Sequence, residues 1–422
     1  MIPQTVPMVI VLIALILYTV LAGADFGAGF WQLVAGGGER GRQIRDHAHH
    51  ANAPVWEANH VWLILVITVL WTGYPLVFGS VFSTLAIPIY IAAIGIVFRG
   101  LAYTLQNATM VPRQRRVIDL TFAVSSIITP YMLGTVIGAI ASGRVPVGNA
   151  AGDMVTSWVN PTSILAGGLA VATGAFLAAV YLAADARRLD ETWLAEAFRK
   201  RALAAGGAAG ALAIAGLIVE DHDAYRIFTG LTTGWGLVAV IVSGIAGITA
   251  LGLTWIRRYG TARASAALAV AAILFGWAAA QRPYVLPGLT LSRAAASDST
   301  MIAIIISIAI GAVILFPSLG LLFRLSLAGR FDPAAIRRQA PARGPDAPRP
   351  PWSARVAIAA LVIGIVLLTI LDASIAHIFG LVALAIAAFA GFAAIGPDVL
   401  AQRDAPPDTT EASAGSSNVR RG

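Results

Sequence analysis

The stretches LAGADFGAGF (Leu21–Phe30) and APVWEANHVWL (Ala53–Leu63) set Asp25, Glu57 and His60 inside runs that are otherwise almost entirely apolar. The runs around them, Val6–Val34 and Val55–Phe78, are long. About 20 apolar residues in a helix cross a hydrocarbon core roughly 30 Å thick. Both stretches therefore read as membrane helices carrying ionisable groups. Charge at that depth costs several kcal/mol on insertion scales, so such groups pair with one another or line a wet cavity.

The rest of the chain follows the same pattern. Hydrophobic residues make up 58%, charged residues 12%, and the mean hydropathy is +0.79. A soluble domain carries about 25% charge to solvate its surface. Seven further blocks qualify as spans: Val81–Leu105, Val117–Ala141, Thr162–Ala184, Ala202–Val219, Thr232–Ile256, Ala264–Ala280 and Met301–Leu325. The first block lacks a basic start and exceeds the length of a signal-peptide core, so it reads as a retained helix. Residues 1–329 then form one membrane domain. A Pro/Arg-rich linker is expected over 330–353, two additional helices over 354–398 (Val356–Leu371 and Ile378–Ile395), and a disordered polar tail over 399–422.

Basic residues orient these blocks. Connections after odd blocks carry Arg40, Arg42 and Arg45; Arg113, Arg115 and Arg116; Arg187, Arg188, Arg199, Lys200 and Arg201; and Arg257, Arg258 and Arg263. The segment after the ninth block adds seven more, Arg324 to Arg355. Connections after even blocks offer only Arg144, Arg226, Arg282 and Arg293. The positive-inside rule puts the odd connections and the C-terminal tail in the cytoplasm and the N-terminus outside. The net charge of +8 is thus a matter of topology and anionic lipid, not nucleic acid. With no cysteine, disulfides, thiolate metal sites and thiol catalysis are excluded.

Small residues at four-residue spacing (Gly23/Gly27, Gly134/Gly138, Gly206/Gly210) read as helix-packing faces, because close backbone approach drives helix association in lipid. GADFGAG looks like a nucleotide-binding loop, yet no strand–turn–helix context surrounds it. Most intramembrane ionisable groups gather at the cytoplasmic ends of the first four blocks: Asp25, Glu57, His60, Arg99 and Asp119, with Asn59 beside them. Two readings stand. One is an ion-pair cluster locking helices, with Arg99 balancing Asp25 or Glu57. The other is a proton entrance in which carboxylates, Asn59, His60 and water pass protons inward. Elsewhere, His47, His49 and His50 lack acidic or cysteine partners for a metal set. Glu220, Asp221, Asp223 and His222 read as a solvated outside loop. His60 has no second intramembrane histidine for bis-ligated haem. No metal site is assigned.

Together the helix-one and helix-two motifs strongly resemble subunit II of the cytochrome bd-type quinol oxidases. The likeness continues in VFRG (Val97–Gly100), RPYVLPGLTLSRAAAS (Arg282–Ser297) and FPSLGLLFRL (Phe316–Leu325), covering residues 1 to about 330. It implies an all-α polytopic fold of nine core helices, two four-helix bundles plus a peripheral helix. The two C-terminal helices exceed that pattern.

The resemblance further implies a heterodimer with a haem-bearing subunit I in the bacterial inner membrane. The pair oxidises quinol at the outer face and reduces oxygen to water with cytoplasmic protons. Subunit II is not catalytic alone: it stabilises the haem subunit, binds no haem, and can hold a structural quinone. Small accessory subunits are compatible partners. Carried over by position, Glu57 and Asp25 match motif acids, the former associated with the proton path. Trp62 matches a tryptophan near the oxygen channel of members that have one. Arg99 and Asp119 match polar positions on helices three and four. Some members carry aspartate where Glu57 stands and glutamine where His60 stands. Two rival readings are a secondary transporter coupled through Asp25, Glu57 and Arg99, and a purely structural partner.

Overall fold

A computed structural model describes residues 2–51, 56–106, 112–327 and 352–369, with short pieces between 379 and 390. The helices of the first unit are α1 (Ile2–Leu33), α2 (Gly38–Ala51), α3 (Trp56–Gly73), α4 (Pro75–Thr84), α5 (Ala86–Gln106), α6 (Pro112–Ala141) and α7 (Pro161–Arg188). They continue with α8 (Thr192–Asp223), α9 (Tyr225–Leu231), α10 (Gly234–Trp255), α11 (Tyr259–Gln281), α12 (Leu291–Ala294) and α13 (Asp298–Leu327). A two-stranded antiparallel hairpin, β1 (Tyr284–Leu286) and β2 (Leu289–Thr290), precedes α12, with Gly288 at positive φ in its turn. Among the described residues eight helices are long and apolar enough to cross a membrane. A ninth span arises if the bent pair Asn59–Gly73 and Pro75–Thr84 counts as one. The protein is an all-α polytopic membrane protein.

That bent pair corrects the expected continuous helix over Val55–Phe78. Pro75 has no N–H to donate and its ring clashes with the preceding turn, while Tyr74, restricted by the following proline, leaves helical geometry at φ −136 and ψ 59. The chain turns by 118°. Tyr74 is fully buried at the corner, and its hydroxyl donates to the Gln4 carbonyl oxygen at 2.7 Å. The backbone N–H groups of Gly148 and Ala150 donate to the Ser80 and Ser83 hydroxyls, which fastens the loop before α7 onto α4. The expected third helix consequently starts at Ala86, not Val81.

Most helices extend past their apolar blocks, because hydropathy marks the hydrocarbon region whereas the helix continues through the polar interface. The largest case is α8, which runs from Thr192 where the apolar block begins at Ala202. Arg199, Lys200, Arg201 and the acidic group Glu220–Asp223 are therefore helical, not loop residues. The basic HAHH segment is likewise helical, in α2. The linker's last residues, Trp352 and Ser353, open α14 (Trp352–Thr369). That helix belongs to a second compact unit, residues 327–422. The remainder of the expected linker, half of the eleventh block and the tail lie outside the described residues.

Close approach of backbones assembles the helices. A side chain at Gly27 of α1 would collide with Gly174 and Ala178 of α7, and one at Gly138 of α6 with Ser163 and Ala166 of α7. These interfaces need glycine because there is no space for a Cβ. The pair Gly206/Gly210 divides: Gly206 of α8 abuts Phe176 and Leu251, but nothing lies within 4 Å of a Cβ at Gly210. One buried cluster joins α1, α2, α7, α8 and α11 around Leu177, Val180 and Phe198. A second joins α1, α3, α4 and the hairpin around Val69, Leu85 and Leu286.

Candidate functional site

On α1, Asp25 lies about two-thirds of the way along a helix with no other charged side chain. On α5, Arg99 is the lone charged residue. Both are 4% exposed, and the Arg99 Nη2 donates to Asp25 Oδ1 at 2.6 Å. The same nitrogen reaches the Asp25 carbonyl oxygen at 3.1 Å, while Nη1 donates to the Ser126 hydroxyl of α6 at 3.2 Å. Ser126 in turn donates to the Phe122 carbonyl oxygen at 2.6 Å. The guanidinium is enclosed by two rings, its central carbon 4.9 Å from the Phe26 centroid and 4.4 Å from that of Phe122. Desolvated cation–π contacts of this kind contribute about 2 kcal/mol. One arginine thus ties α1, α5 and α6 together.

Beside the pair stands a group of polar side chains. His60 of α3 meets the Tyr18 ring of α1 edge-on, with centroids 6.4 Å apart. It lies close enough to Asp25 for the two to interact electrostatically. Asn59 is fully buried, and neither its amide oxygen nor its amide nitrogen finds a hydrogen-bond partner among the described residues. The buried Tyr18 hydroxyl is in the same position. Buried polar groups are seldom left unsatisfied, and those that are call for a structural or functional reason. Trp62 packs on the Tyr18, Ala22 and Phe26 cluster, one turn above Asn59.

The structure therefore brings Asp25, Arg99, Asn59 and His60 together. Asp119 is half-buried on α6, two turns before Ser126, roughly 10 Å along the axis by the helical rise, and is not part of the pair. Glu57 occupies the first turn of α3, three residues before His60 and hence on its face; its side chain lies outside the described residues. Tyr18, Ser126 and the ring pair Phe26 and Phe122 escaped sequence reading. For Tyr18 a signal existed, since it precedes Asp25 by seven residues on the same helical face. For the two phenylalanines none did, because phenylalanine in a span ordinarily faces lipid.

Two expectations at the periphery change. The group Glu220–Asp223 is not simply a solvated face: Asp223 accepts two hydrogen bonds from Arg144, at 2.6 and 3.0 Å, and two from the Thr162 N–H and hydroxyl. His47 faces α7 and α8, contacting the Leu182 carbonyl oxygen at 3.1 Å and the Phe198 ring, whereas His49 faces Tyr103 of α5. His47 and His49 thus pack against neighbouring helices. Among the described residues no three His, Cys, Asp or Glu side chains converge as metal ligands.

A bundle of apolar helices, bent once at Pro75 and holding a caged ion pair between three of its spans, defines a polytopic membrane subunit without a metal-ligand cluster in its described part. The chain belongs to the family described as cytochrome bd terminal oxidase subunit II, whose family model matches residues 3–326. This sets aside the transporter reading. The Bacillus subtilis (strain 168) protein named "Putative cytochrome bd menaquinol oxidase subunit II" is 24% identical over 316 residues, 71% of this chain and 89% of that one. The Escherichia coli (strain K12) cytochrome bd-I ubiquinol oxidase subunit 2 is 25% identical over 131 residues, 31% of this chain and 34% of that one. In fold, the chain is similar to a chain of the bd oxidase from Geobacillus thermodenitrificans, with a TM-score of 0.59 and 22% identity, covering 78% of this chain and 99% of the other.

Proposed function

We propose that the chain is the non-haem subunit of a quinol:oxygen oxidoreductase of the bacterial cytoplasmic membrane. Its N-terminus lies outside, and its cytoplasmic half admits protons toward the oxygen-reducing site. Haem in the partner subunit I supplies the redox chemistry, four electrons from two quinols reducing one oxygen molecule to two waters. This chain stabilises that partner and helps deliver the protons the reaction consumes.

The observation that carries the reading is the line of polar groups Asn59, His60 and Tyr18 running beside the Asp25–Arg99 pair inside apolar helices. The arginine-rich connections at the same end of the helices support its cytoplasmic placement. Within the group the roles divide by mobility. Asp25 is held by Arg99 in a short ion pair, so it sets the local potential beside the relay. Glu57 enters first, and His60, one turn further along α3 beside Tyr18 and Asp25, offers a ring nitrogen to the next step of the relay. Asp119 stands two turns out as an entry group, and Trp62, packed on Tyr18, Ala22 and Phe26, screens the upper side toward an oxygen path. A structural quinone fits the membrane setting, and small accessory subunits are compatible with the fold.

Glu57→Gln tests the reading. In the purified complex it slows oxygen consumption at least tenfold while the visible haem spectrum and subunit stoichiometry stay unchanged. Unchanged turnover would remove Glu57 from the path, and absence of a haem-bearing partner on purification would remove the oxidase assignment for this chain.

A further inference from the structure

Away from the buried pair, the turns α7–α8 and α10–α11 share one backbone conformation. Each has a C-cap residue just past the helix (Leu189 at φ −88, Ile256 at φ −84), then a non-glycine residue in the left-handed region (Asp190 at φ 59, Arg257 at φ 62). An N-cap residue follows that makes no side-chain capping bond, Glu191 in one turn and Arg258 in the other. The first turns of α8 and α11 thus present backbone N–H groups without side-chain caps, and both open on one cleft of about 290 Å³. It is lined by Arg187, Thr192, Ala195, Glu196, Arg257 and Tyr259.

Charge and hydrogen-bonding capacity in the cleft favour an anion. Glu196 is neutralised by Arg199, which donates to both carboxylate oxygens at 3.0–3.1 Å, and receives a further bond from Arg257 at 3.3 Å. Arg199 is itself anchored on the Trp255 carbonyl oxygen and ring. Two guanidinium groups therefore hold one carboxylate, and Arg187, a third, lines the cleft and makes no ion pair among the described residues. The acidic turn residues Asp190 and Glu191 are exposed and do not line the cleft. The independent sign of a ligand is Tyr259. It is only 4% exposed and it lines the cleft, and its hydroxyl makes no hydrogen bond within the described residues while staying reachable by solvent, which leaves it open to a ligand there.

We propose that this cleft binds a phosphate group, received by the two helix N-termini, Arg187, Arg257 and the hydroxyls of Thr192 and Tyr259. Its place at the arginine-rich end of two hairpins puts it at headgroup level, where anionic phospholipid supplies that group. Soluble phosphate is the other source of the same chemistry.

The test uses the full chain purified with its native partners and reads binding, not turnover, so it stands or falls separately from the oxidase assignment. Complexes are reconstituted into phosphatidylcholine vesicles doped with phosphatidylglycerol, extracted in mild detergent, and their retained phosphatidylglycerol is quantified. Inorganic phosphate is titrated calorimetrically in a parallel arm. The double variant Arg187→Gln/Arg257→Gln is expected to retain about tenfold less phosphatidylglycerol, one decade corresponding to about 1.4 kcal/mol. Tyr259→Phe, which leaves packing intact, is expected to retain about threefold less, and it decides the matter if the double variant fails to assemble. Loss of inorganic phosphate binding in the variants, with lipid retention unchanged, assigns the cleft to soluble phosphate. Retention and phosphate binding that both match the unmodified protein overturn the proposal.

Discussion

The molecule contains two arginine–aspartate pairs of equal length in very different surroundings. Arg99–Asp25 and Arg144–Asp223 both close at 2.6 Å. The side chains of the first are 5% and 5% exposed, those of the second 35% and 15%. The inner pair is set between two phenylalanine rings and supplemented by one hydroxyl. The outer pair gathers the end of α6, the start of α7 and the end of α8 through four hydrogen bonds from Arg144 and Thr162. Distance alone is therefore a poor guide to what a pair does. Where water is excluded, the cost of desolvating both charges rivals their attraction, and the pair's main consequence is that neither member is tolerated alone. Where water reaches, the pair acts as a latch whose contribution depends on how many hydrogen bonds it gathers.

Removing one member from each pair is the sharpest way to break this comparison. Arg99→Met leaves Asp25 buried without its partner, with an expected destabilisation of about 3–5 kcal/mol, read as a lowered unfolding midpoint of the purified complex and reduced assembly. The double variant Asp25→Leu/Arg99→Met removes both charges and is expected to recover most of that loss. If the double variant is as unstable as the single one, the cluster owes its stability to attraction and not to mutual neutralisation. Asp223→Ala in the outer pair frees groups that water can solvate, so the expected loss is about 1–2 kcal/mol. High salt should shrink that loss and leave the Arg99→Met effect unchanged, because screening acts on charges that ions can approach.

What could be foreseen divides along the same line. The spans were legible because each is a local property of about 20 consecutive residues, and nearly every apolar block corresponds to a helix. The corner at Pro75 had a local cause that hydropathy overlooks, since Tyr74 and Pro75 lie in an unbroken apolar run. The polar ends of α8 were missed because arginine, glutamate and lysine continue a helix as readily as they leave one. Asp25 and Arg99 stood out individually as charges in apolar surroundings, but 74 positions separate them. Nothing in the sequence chose Asp25 over Glu57 as the partner of Arg99. The ring enclosure by Phe26 and Phe122 is tertiary in origin, as are the convergence of Arg144 and Thr162 on Asp223 and the meeting of two turns at the Tyr259 cleft.

A third carboxylate carries the comparison to its limit, where no cation takes part. In the loop between α6 and α7, Asp153 accepts the backbone N–H groups of Val155 and Thr156 at 2.9 and 2.7 Å, and the Thr156 hydroxyl at 3.0 Å. These donors favour the charged form, and they hold the Asp153 carboxyl below its ordinary range, the Thr156 backbone donor first among them. A group whose folded pKa is depressed contributes stability that is fully present above its unfolded value, about 3.9, and lost as pH falls through the folded value. Hydrogen exchange at the Val155 and Thr156 amides should therefore show protection that persists at neutral pH and disappears only below about pH 4. In Asp153→Asn, which keeps an acceptor oxygen but cannot titrate, the protection should be weaker and independent of pH across that window. The effect is the smallest of the three because the site is open to water, and it should leave the unfolding midpoint of the complex unmoved. A midpoint that follows Asp153 would mean that this loop, through its Ser80 and Ser83 contacts with α4, sustains the bent span at Pro75. Even a solvent-exposed carboxylate would then bear on the core.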